Sequence, residues 1–334
     1  MGLKKYSIMT FTDAMDKTFD IHKKHMASSA LYLFLYYIIS FIAYIIIFFI
    51  GIFGFVYTTA NLFIGYGRSS IFPGTSLGPV FYFFTIFGIV LALMLLFKFM
   101  KQAGIIDIAS KAFLNKNVQF EKSLGMAFKK IPAIITIIIG YGLAFLPVII
   151  ISAAAVYNFD LIYRDLNYAL DSINIWIILL GIIVAIITIC LITLYMFSIQ
   201  AVVIDKLYFL KALKRSRILV KNSFWRLLGI NILFYIVVLA ITYSMYSFFG
   251  VIGGLIILLL KAIGLHEPNM AALLMVGNYI RIPLQIILSI FISPLKGIFT
   301  TVLYYNQRFK KEGYDIKLEL ENLKEEINID QLKA

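Results

Sequence analysis

Cysteine, histidine and charged residues are all scarce in this chain. Of its 334 residues, one is cysteine and three are histidine, and Asp, Glu, Lys and Arg together make up 14%. The single cysteine, Cys190, excludes an internal disulfide and any metal cluster held by several cysteines. The small charged fraction excludes a soluble globular domain, because such a domain needs a polar surface to cover its core.

Long apolar stretches take the place of the missing charge. Hydrophobic residues make up 62% of the chain, and they come in runs of about 20, the length of a helix that crosses the ~30 Å hydrocarbon core of a bilayer. Lipid offers no hydrogen-bond partner to an open backbone, so these runs must be helical. We therefore predict an all-α polytopic membrane bundle of six transmembrane helices. The six spans lie at residues 31–57, 80–99, 134–156, 175–196, 227–249 and 282–303.

The basic residues fall in alternate segments between these spans. Twenty-five of the 30 Lys and Arg residues lie in segments 1–27, 98–130, 206–226 and 306–334. The positive-inside rule places these segments, and with them both termini, in the cytoplasm of a multi-pass cell-membrane protein. The net charge of +13 then reflects topology and contact with the bilayer and its anionic lipid headgroups, and it does not indicate a nucleic-acid partner.

A short pattern occurs three times along the chain. The frame Phe-x-x-(Ala/Ser)-(Met/Leu) occupies residues 11–15, 120–124 and 209–213, and each copy opens a charged amphipathic stretch ahead of an apolar run. An apolar face opposite a charged face is typical of a helix that lies in the headgroup plane. We predict three repeated units, each a cytoplasmic-side amphipathic helix plus a helical hairpin, around a pseudo-threefold axis. The units cover about residues 8–107, 117–205 and 206–306. Residues 1–305 form the predicted membrane domain, and residues 306–334 form a cytoplasmic tail.

Two local signals concern the ends of the chain. Thr10 and Asp13 have the spacing of a capping box, which predicts the start of the first amphipathic helix. Leu320, Leu323 and Ile327 recur at helical spacing in an acidic segment, which predicts a short amphipathic helix in the tail.

A second repeated pattern lies at the C-terminal ends of the second, fourth and sixth spans. The second and fourth spans each end with Gln and Asp five residues apart, and the sixth ends with Thr and Asn at the same spacing. We predict that these residues form a polar ring at the inner mouth of the bundle. The six candidates are Gln102, Asp107, Gln200, Asp205, Thr301 and Asn306. The alternative is that they are helix-end polar groups that meet water and nearby lysines.

One charge, that of Lys296, lies clearly within a predicted span. A lysine at the bilayer centre costs about 2.5–3.5 kcal/mol, so its position needs a reason. Either the side chain snorkels to the headgroups, or it faces inward and pairs with Asp107 or Asp205. Four further basic residues are candidates for contact with headgroups or with a membrane or cytoplasmic protein partner. They are Lys214, Arg215, Arg217 and Arg308.

Residues 251–260 are apolar but do not fit the repeated pattern. The stretch is too short to span a bilayer, and it is over-long as a continuation of the fifth span. We therefore predict an interfacial or re-entrant element on the outer side of the membrane.

Catalytic and cofactor motifs are missing from the sequence. It contains no P-loop, no Gly-rich dinucleotide fingerprint and no Gly-x-Ser-x-Gly elbow. His22 and His25 lie one turn apart, but no third metal ligand is evident. The sequence therefore predicts no cofactor, no metal site and no catalytic residue, and it favours a protein that is not an enzyme.

Segments 212–226 and 301–316 resemble a known family, the membrane domain of glycerophosphoryl diester phosphodiesterase. The resemblance implies a six-span bacterial or archaeal membrane domain that also occurs alone. Hydrolysis in the fused members belongs to a separate soluble barrel, which this chain does not contain, so no catalytic residue is implied. Asn306 departs from the family pattern, which more often has Asp there.

Three functional hypotheses remain open at this point. The first is a membrane protein that handles a lipid or a membrane-active amphiphile as a transporter, an accessory subunit or an immunity-type protein. The second is a structural or scaffolding protein that recruits a cytoplasmic partner through its basic loops and acidic tail. The third is an intramembrane lipid-modifying enzyme, which has no acid–base or metal constellation to support it.

Overall fold

The computed structural model describes residues 8–64, 78–164, 170–262 and 267–333, and within these ranges the chain forms eleven α-helices and no β-strand. The helices follow the order short, long, long three times. The first set is α1 (Phe11–Lys24), α2 (Met26–Ile64) and α3 (Gly78–Phe113). The second set is α4 (Phe120–Lys129), α5 (Ile131–Arg164) and α6 (Leu170–Leu194), which α7 (Ser198–Val203) extends. The third set is α8 (Phe209–Lys221), α9 (Phe224–Ala262) and α10 (Glu267–Glu312), and α11 (Tyr314–Lys333) follows.

Six stretches of helix in the described ranges are long and apolar enough to cross a membrane. They are Met26–Gly54, Gly88–Phe113, Ile131–Ala153, Leu179–Val203, Phe224–Ile256 and Pro283–Glu312. Their number and positions confirm the predicted all-α polytopic bundle. By helix length and composition, the chain is a multi-pass membrane protein.

The three short helices α1, α4 and α8 form a collar around one end of the bundle, called here the collar end. The predicted capping box at the start of α1 is confirmed, because the Thr10 hydroxyl accepts from the Asp13 N–H and the Asp13 carboxylate accepts from the Thr10 N–H. Each short helix lies against the C-terminal end of a long one. For α1 this contact includes the ring of Phe11, which meets that of Phe299 in α10 edge-on at 6.5 Å.

The packed core lies at the collar end and is centred on α10. The ring of Phe299 stacks on that of Phe234 in α9 at 3.9 Å. Glycine permits the closest helix approaches, since a Cβ added at Gly297 would meet Ile105 in α3 at 2.5 Å. In the sixth span, 56% of the most apolar stretch is buried, against 6% in the fourth span. The sixth span is therefore the central helix of the bundle.

The opposite ends of the long helices, the far end of the bundle, are packed much less. Phe48, Phe49 and Ile50 in α2 are 64%, 54% and 66% exposed. Successive helical residues point about 100° apart, so exposure at three in a row means that α2 has no close neighbour on most of its sides at this level. Apolar surface of this kind is available to lipid tails.

The prediction for residues 251–260 is wrong. Helix α9 continues without a break from Phe224 to Ala262, so this stretch extends the fifth span. The prediction took the bilayer thickness as the upper limit on the length of a helix. A long apolar helix instead adapts by tilting or by projecting beyond the hydrocarbon core. An added Cβ would meet nothing within 4 Å at Gly250, Gly253 or Gly254, so packing does not turn the chain there.

The predicted tail helix is confirmed as α11, which is 20 residues long. Gly313 separates it from α10 and has φ +58°, a conformation that glycine adopts without strain. Leu318 of α11 is buried. The chain therefore leaves the sixth span, turns once and packs back on the collar end.

Candidate functional site

Two of the predicted ring residues, Asp107 and Asp205, contact the collar helix that comes next in the chain. Asp107 lies in the last two turns of α3, and its Oδ2 accepts a 2.7 Å hydrogen bond from the Ser123 hydroxyl in α4. Asp205 follows α7, and its Oδ2 accepts a 2.9 Å hydrogen bond from Nε of Arg215 in α8. Each carboxylate thus fixes the short helix that leads into the following span.

Asn306 makes the corresponding contact for the sixth span, and its partner lies at the start of the chain. Its Oδ1 accepts from the backbone N–H of Met9 at 3.0 Å, and its Nδ2 donates to the Met9 carbonyl at 2.9 Å. Met9 leads directly into α1. The three contacts therefore run from the first set of helices to the second, from the second to the third, and from the third back to the first.

The contact at Asp205 is the centre of a larger charged group, the Asp205 cluster. Besides Arg215, the Asp205 carboxylate accepts from the Tyr304 hydroxyl at 2.5 Å and from Nη1 of Arg308 at 3.1 Å. Both arginines also donate to the carboxylate of Glu312, Arg215 through Nη2 at 2.8 Å and Arg308 through Nε at 3.2 Å. The side chains of Asp205 and Arg308 are 14% and 12% exposed.

The cluster is electrically balanced, because two carboxylates face two guanidinium groups. Burial lowers the pKa of the Arg215 guanidinium, but its hydrogen bonds to Glu312 and its interactions with Tyr304 and Asp205 together outweigh burial, and the pKa is raised. Charges that satisfy one another have little capacity left for an outside anion. The Asp205 cluster thus joins the fourth span, α8 and the sixth span.

Helix α11 is attached to the same cluster through an aromatic stack. The guanidinium carbon of Arg308 lies 3.6 Å from the centroid of the Tyr314 ring. Tyr314 also stacks on Tyr305 at 6.2 Å, and the Tyr305 hydroxyl is 2.7 Å from that of Ser110 in α3. The position of the tail helix is therefore coupled to the ion pairs of Asp205.

Sequence reasoning chose Asp205, Arg215 and Arg308, but it missed Tyr304 and Glu312 as their partners. A signal was present, since Tyr304, Arg308 and Glu312 are spaced by four residues and so share one face of α10. That spacing alone does not identify a partner on another helix.

The first residues of the three predicted pairs, Gln102, Gln200 and Thr301, are only partly brought together. Gln200, fully buried, donates through Nε2 to the hydroxyl of Thr300 at 2.8 Å, and its Oε1 has no hydrogen-bond partner among the described residues. Thr301, one position further on, instead donates to the carbonyl of Gly297 in its own helix at 2.7 Å. Gln102 is half-buried.

Lys296 is exposed on the outside of α10. Its Nζ lies 5.0 Å from the centroid of the Tyr235 ring in α9, which is within the range of a cation–π contact. The carboxylates proposed as alternative partners are engaged elsewhere, that of Asp107 by Lys111 at 2.5 Å and that of Asp205 by its cluster. Lys296 is thus an accessible cation beside an aromatic ring.

The four basic candidates divide into two kinds. Arg215 of α8 and Arg308 of α10 belong to the Asp205 cluster, whereas Lys214 and Arg217 are exposed on α8. The exposed pair is therefore free to meet headgroups or a partner, and the cluster pair is not.

A break in the fourth span is filled by α8. Helix α6 ends at Leu194 and α7 begins at Ser198. Across this gap the hydroxyl of Ser216, fully buried, donates to the Leu194 carbonyl at 2.8 Å and accepts from the Phe197 N–H at 3.1 Å. The collar helix thereby satisfies backbone groups that a continuous helix would have paired internally.

Within the described part of the chain, no group of three or more His, Cys, Asp or Glu residues is placed to hold a metal ion. Comparisons of the chain with models of protein families, with curated proteins and with solved structures find no match.

Proposed function

We propose that this membrane protein binds a lipid or another negatively charged amphiphile along the outer surface of α9 and α10, with Lys296 as the contact for the head. Binding of this kind would serve a transporter, an accessory subunit or an immunity-type protein. The observation that carries the proposal is the exposure of Lys296 within the candidate span Pro283–Glu312, next to Tyr235. An anionic head would offset the cost of a charge at this depth.

The outer surface of α9 supports the same proposal. The side chains of Ile236, Leu239 and Tyr243, within about 12 Å of Tyr235 along the helix, are each more than half exposed. They lie on the same long helix as Tyr235, so an amphiphile with its head at Lys296 would lay its tail along them. Contact of this kind is non-directional and suits chains of varied length.

The proposed orientation places the collar end in the cytoplasm. Most Lys and Arg residues flank the spans on this side, as the positive-inside rule expects of a cytoplasmic face. Lys296 would then lie in the inner leaflet, where a long side chain also reaches the headgroup region. The proposed ligand is accordingly an inner-leaflet amphiphile.

We also infer that the chain consists of three repeated units and is a stand-alone relative of the phosphodiesterase membrane-domain family. The cycle of contacts made by Asp107, Asp205 and Asn306 supports the repeat. Segments 212–226 and 301–316, which carry the resemblance, supply the other four members of the Asp205 cluster. No hydrolase activity is proposed for the chain.

Replacement of Lys296 by glutamine tests the lipid proposal. Lys98 is also exposed within a candidate span, so Lys98→Gln is a matched control. Both variants would be purified in nanodiscs that contain phosphatidylcholine and a photoactivatable phosphatidylglycerol, and labelled peptides would be quantified. We expect Lys296→Gln to lower labelling of α9 and α10 several-fold, and Lys98→Gln to leave it unchanged. Equal labelling in both variants and the parent would reject the role of Lys296.

One observation favours a scaffolding role as the second candidate. Ile316, Leu320 and Leu323 on α11 are each more than half exposed and form a stripe on one face of an acidic helix. A protein partner would bury this stripe. Leu320→Gln with Leu323→Gln would then abolish recruitment of that partner while leaving lipid labelling at α9 and α10 intact.

A further inference from the structure

A basic cleft lies at the collar end, between the second half of α1 and the end of α3. Its volume is about 560 Å³. Lys17, Lys23, Lys24 and His25 line it, and Asp20 is the acidic residue in the described lining. Lys23, Lys24 and His25 lie at the point where α1 ends and α2, the first span, begins, and Lys17 lies two turns earlier on α1.

The floor of the cleft is held in place by the end of α3. Asn115, which lines the cleft, has φ +54°, the left-handed conformation that often ends a helix. The Lys116 N–H donates to the Lys111 carbonyl at 2.8 Å, as expected where such a residue closes the helix. The two walls are thus ordered helices rather than long surface loops.

The lysines of the cleft differ from the arginines of the Asp205 cluster in having no counterion. The side chains of Lys17, Lys23 and Lys24 form no hydrogen bond or ion pair with the described residues, whereas those of Arg215 and Arg308 are both paired with carboxylates. Burial, and then the charge of Lys24, lower the pKa of His25. The cleft therefore carries an excess of positive charge that the protein itself does not neutralise.

We propose that this cleft binds a phosphate-bearing anion through Lys17, Lys23 and Lys24. Three ammonium groups around one concave surface suit a group with several negatively charged oxygens better than a single carboxylate. The position at the start of a span matches the level of lipid headgroups, and the open side of the cleft admits a soluble phosphate equally well. This site is separate from Lys296 and does not depend on the function proposed for it.

The test compares two triple variants of the full chain. Lys17→Gln, Lys23→Gln and Lys24→Gln together remove the charges of the cleft. The control variant, Lys122→Gln, Lys129→Gln and Lys211→Gln, removes the same number of charges from α4 and α8, where all three lysines are exposed and outside the cleft. The probes are phosphatidylglycerol, counted against phosphatidylcholine by native mass spectrometry, and inorganic phosphate, titrated calorimetrically against chloride at equal ionic strength.

We expect the cleft variant to bind at least one probe about tenfold more weakly than the parent, and the control variant to bind as the parent does. Loss of phosphatidylglycerol alone identifies a lipid headgroup as the ligand, and loss of inorganic phosphate identifies a soluble one. Equal binding by the cleft variant and the parent, or an equal loss in the control variant, overturns the proposal.

Asp20→Asn provides a test that does not depend on loss of binding. Removal of the acidic residue from the cleft increases its positive charge, so we expect the affinity for the same probe to rise several-fold. Unchanged or weaker binding in this variant, with an unchanged melting temperature, also counts against the site. Neither outcome bears on Lys296, so the two proposals fail independently.

Discussion

The side-chain amide of Asn306 forms two hydrogen bonds with the backbone of Met9, a residue 297 positions earlier in the chain. This pairing joins the last transmembrane helix to the approach to the first collar helix. Asn306 is almost fully buried, so neither backbone group of Met9 would find an equivalent partner in water without moving away. The contact closes the cycle that Asp107 and Asp205 begin.

The first prediction concerns this closure. Asn306→Ala removes both hydrogen bonds to Met9, and we expect a loss of about 1–3 kcal/mol in the free energy of unfolding. The effect should be local as well, because residues before α1 lose their attachment. Hydrogen exchange should become faster at Met9 and in the first turn of α1 while the spans remain protected.

Asn306→Asp is the control for this prediction. The carboxylate still accepts from the Met9 N–H, but it cannot donate to the Met9 carbonyl. We expect exchange rates and stability between those of the parent and Asn306→Ala. If Asn306→Ala leaves exchange at Met9 unchanged, the contact does not hold the start of the chain.

The second prediction separates Asp205 from Asp107, which the sequence treats as equivalent. Asp205→Asn leaves Arg215 and Arg308 without one of their two carboxylates, and breaking a largely buried network should cost about 3 kcal/mol. Asp107 is as buried as Asp205, but Asp107→Asn loses only one (i, i+4) pair, with Lys111, and keeps an acceptor for Ser123, so the cost should stay below about 1 kcal/mol. Thermal unfolding in detergent measures both, and equal costs would contradict the assigned difference.

The third prediction tests the close approach of α3 and α10. Gly297→Ala would place a Cβ 2.5 Å from Ile105, and the overpacking should cost about 1–3 kcal/mol. Gly229→Ala in α9 meets nothing within 4 Å and should instead stabilise the helix by about 0.5–1 kcal/mol. The two changes add the same methyl group, so opposite shifts in melting temperature isolate the effect of the helix contact. A shift of the same sign in both would remove that explanation.

The fourth prediction concerns acid stability. Burial lowers the pKa of His22, and burial together with the charge of Lys24 lowers that of His25. In the unfolded chain both titrate near pH 6.5. The unfolded chain thus binds protons at a pH where the folded protein does not, so their contribution to stability is present above about pH 6.5 and is lost as the pH falls through the lowered folded values.

Melting temperatures measured from pH 8 to pH 5 test this pH dependence. His22→Gln with His25→Gln should flatten the decline between pH 6.5 and pH 5, because two groups that take up protons on unfolding are removed. All other groups are the same in both proteins, so their effects cancel in the comparison. A decline as steep in the double variant as in the parent would refute the contribution of these histidines.

The fold was predictable from the sequence in its main features. Apolar runs of about 20 residues located the six spans, and the spacing of apolar residues located the collar helices, because both signals depend on residues close together in the chain. The capping box of Thr10 and Asp13 is likewise local. The one wrong prediction, for residues 251–260, came from a global quantity, the bilayer thickness, which does not set where a helix ends.

The candidate sites were predictable only in part. Asp107, Asp205 and Asn306 recur at matched positions, and each contacts a collar helix or the residue that leads into one, but each has a different partner. The pairing of Gln200 with Thr300 rather than with its neighbour Thr301 depends on how one helix is rotated against another. A rotation of one residue, about 100°, is invisible to sequence spacing.

The sequence by itself determined that this protein is a bundle of apolar helices with a basic collar. Water and lipid act on each segment separately, so composition and periodicity decide whether it spans, lies on the surface or turns. Only the tertiary structure decided which cations are paired. Arg215 and Lys214 are neighbours in the chain, yet the first joins a balanced cluster and the second is exposed. Ion pairs form between groups within about 4 Å, and helix crossing alone brings Asp205, Arg215 and Glu312 that close.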